Sequence, residues 1–114
     1  MSFELYATEP FGRKLKRLAK RYKSLAQDLT KVIEKLSENP KMGTPIGKDC
    51  FKIRIAVTSK SRGKSGGVRL ITYVRIIHNS VYLMDIYDKS EQPTITDKEM
   101  KMLIDILTQE ELKQ

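Results

Sequence analysis

The chain has 114 residues and 39% hydrophobic content, and its 22 Lys and Arg against 14 Asp and Glu give a net charge of +8. That length holds one domain, residues 1–114, and the cationic excess on so small a surface favours a polyanionic partner through steering and counterion release. One cysteine, Cys50, excludes an internal disulfide, and with one histidine, His78, it leaves no zinc site, so neither metal nor cofactor is expected. The N-terminal MSFELYATEP has no apolar core of a signal peptide, and no run approaches the ~18 apolar residues of a membrane span, which predicts a cytoplasmic protein without membrane contact.

Residues 3–7, FELYA, read as a short first strand. Apolar residues then fall at Phe11, Leu15, Leu18, Tyr22, Leu25, Leu29, Val32 and Leu36, alternating steps of four and three, which keeps one helix face apolar. Ser24 with Gln27 has the form of a capping box, so two helices are predicted, 10–22 and 25–38, packed as a hairpin. Asn39-Pro40 ends the second, because proline disfavours helical geometry in the residue before it.

Residues 41–49 read as a loop. The period then changes to two. Phe51, Ile53, Ile55 and Val57 alternate with Lys52, Arg54, Ala56 and Thr58. After a glycine-rich loop, Val68, Leu70, Thr72, Val74 and Ile76 alternate with Arg69, Ile71, Tyr73, Arg75 and Ile77. His78-Asn79-Ser80 is a turn, and residues 81–87 form a further strand, apolar on both sides and hence central. Thr96 with Glu99 makes a second capping box, opening a helix with the stripe Met100, Leu103, Ile104 and Leu107. The expected architecture is α+β: an antiparallel sheet of three to four strands, an N-terminal helical hairpin and a C-terminal helix, the helices covering one sheet face.

The loop SKSRGKSGG contains a Gly-Lys-Ser triplet of the kind that binds nucleotide phosphates. A P-loop also needs a glycine five residues before its Gly-Lys pair and a helix after the Ser. Thr58 stands at the first position, and Ser65 is followed by Gly66-Gly67 and a strand. Both requirements fail.

Strand alternation supports a different site. If Ile53 and Ile55 face the core, then Lys52 and Arg54 face away, and so do Arg69, Tyr73 and Arg75 on the neighbouring strand. Lys60, Arg62 and Lys64 rim the loop between them. No acid lies between Cys50 and Arg75, so this charge is not neutralised locally, as it would be on an ordinary solvated face. Arg13, Lys14, Lys16, Arg17, Lys20, Arg21 and Lys23 make the first helix basic too, as its wet face, a second RNA contact or the surface of an acidic partner. His78 reads as a turn residue and Cys50 as a buried structural thiol. Any enzyme built from these groups works by placing cations around a phosphorane and by shifting the pKa of Lys or Tyr. RNA cleavage suits that limit, since RNA supplies its own 2′-hydroxyl nucleophile.

Cys50-Phe51-Lys52-Ile53-Arg54, the segment Arg62-Gly63-Lys64-Ser65-Gly66-Gly67-Val68-Arg69-Leu70-Ile71-Thr72-Tyr73 and the ending Tyr87-Asp88-Lys89-Ser90-Glu91 resemble the RelE/ParE superfamily of bacterial toxins. The glycine-rich segment is most similar to the HigB-like branch. The resemblance extends over nearly the whole chain and implies a RelE-like fold. It also implies a type II toxin: a metal-independent mRNA interferase that cleaves mRNA on the ribosome through 2′-hydroxyl attack. The implied partners are ribosome, mRNA and a cognate helix-turn-helix antitoxin of HigA-like type.

On that resemblance the catalytic set is Arg54, Lys64, Arg69, Tyr87 and Lys89, and the RNA-binding set is Lys52, Lys60, Arg62, Tyr73 and Arg75. Arg54 and Arg69 would stabilise the pentavalent phosphate, Lys52 or Lys64 would orient the 2′-hydroxyl, and Lys89 or Tyr87 would assist the leaving oxygen. Two positions depart from the RelE-like pattern: Ser90 stands where an arginine follows the last-strand lysine, and no tyrosine follows Tyr87. The alternatives from other classes are a ParE-like, non-enzymatic gyrase inhibitor and an inactive module that binds RNA or antitoxin.

Overall fold

The computed structural model describes residues 3–59 and 67–112. Chain order is β1 (Glu4–Ala7), α1 (Glu9–Arg21), α2 (Leu25–Glu38), β2 (Thr44–Gly47), β3 (Cys50–Ile55), β4 (Val68–Arg75), β5 (Ser80–Asp88) and α3 (Asp97–Leu112). The five strands form one sheet in the order β1-β5-β4-β3-β2. All neighbours are antiparallel except β1, which runs parallel to β5. The α+β class and the helical hairpin are as the sequence predicts, with a fuller sheet. Its middle strand is β4 rather than β5.

The fifth strand, β2, lies inside the segment read as a loop. It pairs with β3 through a turn in which Lys48 and Asp49 adopt φ of 55° and 62°. Tight hairpin turns need positive φ at both central residues, and the usual signal is Asn-Gly or Asp-Gly. Lys-Asp carries no such signal. Pro45 is tolerated because β2 is an edge strand.

α1 begins at Thr8, whose Oγ1 accepts the Phe11 N–H at 3.4 Å, with Pro10 in the first turn where a missing N–H is harmless. Thr96 and Glu99 form the predicted capping box, each side chain accepting the other's backbone N–H at 3.1 Å. Ser24 and Gln27 do not. Ser24 makes no cap hydrogen bond; its hydroxyl donates to Asp28 at 2.8 Å and accepts the Ser59 N–H at 2.7 Å. Asp28 also accepts the Thr58 N–H at 3.0 Å. Ser24 is thus spent on fastening the end of the β3 segment to the helical hairpin.

Burial acts to raise the Asp28 pKa, but hydrogen bonds from Thr58 and Ser24, with Lys31 nearby, hold the carboxyl below its ordinary range. Such a group adds stability above its unfolded pKa, about 3.9, and loses it as pH falls through the lower folded value. Asp28→Asn is expected to flatten the loss of urea stability below about pH 4. An acid limb identical to the wild type would show that this network does not hold the segment.

The main core lies between the hairpin and one sheet face, where Phe11, Leu18, Leu25, Leu29 and Leu36 meet Ile53, Ile55, Leu70, Val81 and Ile86. A second core on the opposite face joins Cys50, Ile71, Met84 and Tyr87 to Ile95, Met100 and Leu107. The expectation that every helix covers one face is therefore corrected: α3 roofs the other. Ile71 and Met84 explain why, since two fully buried apolar side chains on that face need a cover. Cys50 belongs to this second core, where burial pushes its thiol up to about 11.

A bulge in the β4–β5 pairing decides where Tyr87 points. Thr72 faces Leu83 while Ile71 faces Asp85, so Met84 is the extra residue. Val81 and Leu83 pack in the hairpin core, and strict alternation would send Tyr87 with them. The bulge reverses the phase, and Tyr87 joins the α3 face.

Candidate functional site at the arginine row

Three residues come into one row across β3, β4 and β5. Arg54 stands opposite Arg69, and Arg69 stands opposite Tyr87. Directly paired residues on one sheet face have Cβ atoms about 5 Å apart, so both side chains leave the sheet at neighbouring points on the same face. Their environments differ. Arg54 is exposed, whereas Arg69 retains only 7% of its surface.

Gly67 shapes the entrance to β4. Its φ is +84°, and a Cβ there would lie 2.8 Å from the Ile55 carbonyl oxygen and 4.0 Å from Arg69 Nη1. Gly67→Ala is expected to cost about 1–3 kcal/mol in urea stability, since strained φ and a backbone clash act together. It should also lower any activity that depends on Arg69. An alanine variant as stable as wild type would show that this close approach is not needed.

Tyr87 is 3% exposed, and its hydroxyl has no regular hydrogen-bond partner among the described residues. Burial raises its pKa, and Asp85 and Glu99 add to the rise. Arg69 and a nearby Thr94 side chain, which favours the ionised form, only partly oppose this. Tyr87 therefore keeps its proton at neutral pH.

Lys89 is exposed just past the strand, and its N–H donates to the Gly67 carbonyl at 3.2 Å. The two ends of the site are thus joined through backbone. Ser90 belongs to the turn: its N–H and hydroxyl donate to Asp88 Oδ1 at 2.9 and 2.8 Å.

Arg54, Arg69, Tyr87 and Lys89 therefore gather at one end of the sheet. Lys52 is half-buried one row further, opposite Ile71. Tyr73 and Arg75 lie two and three rows from Arg69, with the roofed Ile71 and Met84 between. The outer sheet face is consequently two separate polar regions rather than one continuous cationic surface. Lys60, Arg62 and Lys64 lie outside the described residues. His78 ends a single 3₁₀ turn, Ile76–His78, at the far end of β4.

Sequence reasoning missed three features of the site: the Asp28 fastening, the roof by α3 and the bulge that turns Tyr87. The doubly apolar strand was a signal for the roof. A bulge has none of comparable strength. A buried Asp85 also takes the Lys14 ammonium at 2.7 Å, tying α1 to β5. Among the described residues no three His, Cys, Asp or Glu side chains cluster as metal ligands, and no helix is long and apolar enough to cross a membrane.

The fold has known counterparts. E. coli RelE toxin in the free state, in a doubly substituted form, superposes with a TM-score of 0.61 at 20% identity, covering 82% of this chain and 90% of that one. The isolated E. coli RelE toxin gives 0.60 at 17% identity, covering 92% and 99%. A crystal structure of the E. coli RelBE toxin–antitoxin complex gives 0.58 at 19% identity, covering 75% and 94%. At these identities the likeness establishes the fold. The family model for the RelE toxin of the RelE/RelB toxin–antitoxin system matches residues 11–112. That match spans both helices of the hairpin, the arginine row, Lys89 and α3, and on it the chain belongs to the RelE toxin family.

Proposed function

We propose that this chain is a ribosome-dependent mRNA interferase that inhibits translation. The observation that carries the proposal is the pairing of Arg54 with Arg69 at the end of the sheet where Lys89 follows β5. In the reaction the 2′-oxygen attacks the adjacent phosphorus and the P–O5′ bond breaks, giving a 2′,3′-cyclic phosphate and a 5′-hydroxyl. The proton of the 2′-hydroxyl passes to a base, and a second proton reaches the leaving oxygen.

Arg69, held in place by burial, and Arg54, reaching from solvent, would bind the two charged oxygens of the phosphorane. Lys89 is the better donor to the leaving oxygen, because it is exposed whereas Tyr87 lies under α3 with a raised pKa. Lys52 or Lys64 would orient the 2′-hydroxyl. Lys60, Arg62, Tyr73 and Arg75 complete the RNA contacts. The glycine-rich run before Arg69 supports a HigB-like branch, with a helix-turn-helix antitoxin of HigA-like type as partner and the cytoplasm as the place of action.

Brief expression in cells, with mRNA 5′ ends mapped and translation followed, tests the reading. Cuts at fixed codon positions are the expected result. Growth arrest with intact mRNA and relaxed plasmid DNA would replace it with gyrase inhibition, and no toxicity would replace it with a binding module.

A further inference from the structure

Beyond the roof of α3, at the sheet end opposite the arginine pair, Tyr6, Tyr82 and Tyr73 stand in register on β1, β5 and β4. The Tyr6 and Tyr82 rings are stacked, 5.4 Å between centroids at 26°, and Tyr73 lies 6.3 Å from Tyr82 at 37°. Tyr6 is 44% exposed, and the other two are half-buried. Tyr6 also donates its hydroxyl to Glu4 at 2.5 Å, which fixes the outer ring and puts one carboxylate at the sheet edge. At its inner end the row meets a cavity of about 340 Å³, whose lining includes Tyr73, Arg75, Lys41, His78 and Asp49.

Packing against the second core accounts for Tyr73 and Tyr82 but not for a third ring, stacked and exposed on the edge strand. A sheet that presents adjacent aromatic rings beside cations has the form in which unpaired bases are held: rings take the base faces, and cations take the backbone. The cavity is large enough for a nucleotide-sized group. Lys41 and Arg75 supply positive charge there against the one carboxylate of Asp49, and the chain's +8 supplies the long-range attraction.

We propose that the Tyr6–Tyr82–Tyr73 row is a stacking platform for unpaired bases of single-stranded RNA, with the Arg75–Lys41 cavity taking the adjoining backbone. It depends on the proposed function only for the class of ligand. Tyr73 lies four residues from Arg69 along β4, roughly 13 Å at a strand's rise, so the platform is a contact separate from the arginine pair.

The chain has five tyrosines and no tryptophan, so its intrinsic fluorescence reports on tyrosines alone. The full chain is titrated with a 2′-O-methyl hexa-adenylate, which lacks the attacking hydroxyl, and with a duplex of the same length. The single strand is expected to quench the fluorescence and the duplex to leave it unchanged. Tyr82→Leu should weaken binding of the single strand about tenfold, the loss of one stacked base. Tyr6→Leu, at an exposed edge, should shift it in the same direction with unchanged melting.

Wild-type affinity in both tyrosine variants would overturn the platform, as would wild-type affinity in Tyr6→Leu with Tyr82→Leu unfolded. Equal quenching by the duplex would overturn it in favour of backbone contact. Absence of quenching at any concentration would do so in favour of a protein-docking strip. Quenching without cleavage of unmodified mRNA on ribosomes would sink the interferase reading alone, and cleavage without quenching would sink the platform alone.

Discussion

Arg69→Ala is expected to lower mRNA cleavage on programmed ribosomes by about 10²- to 10³-fold, the usual cost of removing one preorganised charge donor from a developing oxyanion. The magnitude follows from where Arg69 sits. It is 7% exposed, paired on one side with Arg54 and on the other with Tyr87, so its charge acts where water is largely excluded. Burial also means that alanine removes packing along the side-chain stem. Two companions separate charge from packing. Arg69→Lys keeps the charge and most of the stem but loses the bidentate fork, so it should recover only part of the rate. Arg54→Ala removes an exposed side chain, should change stability by no more than about 0.5 kcal/mol, and should still slow cleavage. Wild-type cutting in Arg69→Ala, or a rate in Arg54→Ala equal to wild type, would remove the arginine pair from the chemistry.

That pair was legible in the sequence, and the reason is mechanical. Alternation placed Arg54 and Arg69 on the face away from Ile53, Ile55, Val68 and Leu70, and an antiparallel β3–β4 pairing carries both to the same side. The α2 bounds of 25–38 also agree with Leu25–Glu38, because the apolar spacing and Asn39-Pro40 act within a few residues of the helix itself. Contacts distant in sequence were less visible. Ser24 offered a local cap, but Ser59 and Asp28 take its hydrogen bonds. The Lys48-Asp49 turn hid β2 because neither residue is a customary carrier of positive φ. Tyr87 shares a face with Arg69 only because Met84 is inserted opposite the Ile71–Thr72 step, and no residue type marks that insertion.

Asp88→Ala is expected to be the most destabilising single change at the site, costing about 3–5 kcal/mol, as when one partner of a buried charged network is removed. Asp88 is 1% exposed and accepts hydrogen bonds from the Tyr22 hydroxyl, from Arg21 Nη1 at 3.4 Å, and from Ser90 through both its N–H and its hydroxyl. Alanine would strand the Tyr22 and Ser90 donors, while Arg21 keeps Glu91 at 2.8 Å, and would unfasten the end of β5 from the end of α1. Thermal unfolding should show a fall in Tm of roughly 10–20 °C for a domain of this size. Asp88→Asn keeps an acceptor for Ser90 but loses the charge that Arg21 faces, and should fall between the two. A Tm within 2 °C of wild type in Asp88→Ala would refute the network's structural role. The same geometry accounts for the departure at position 90. Where the RelE-like pattern carries an arginine, this chain has a serine whose hydroxyl closes the turn on Asp88. Ser90→Ala removes one of the two hydrogen bonds that Ser90 gives Asp88 and is expected to lower Tm by less than Asp88→Ala does.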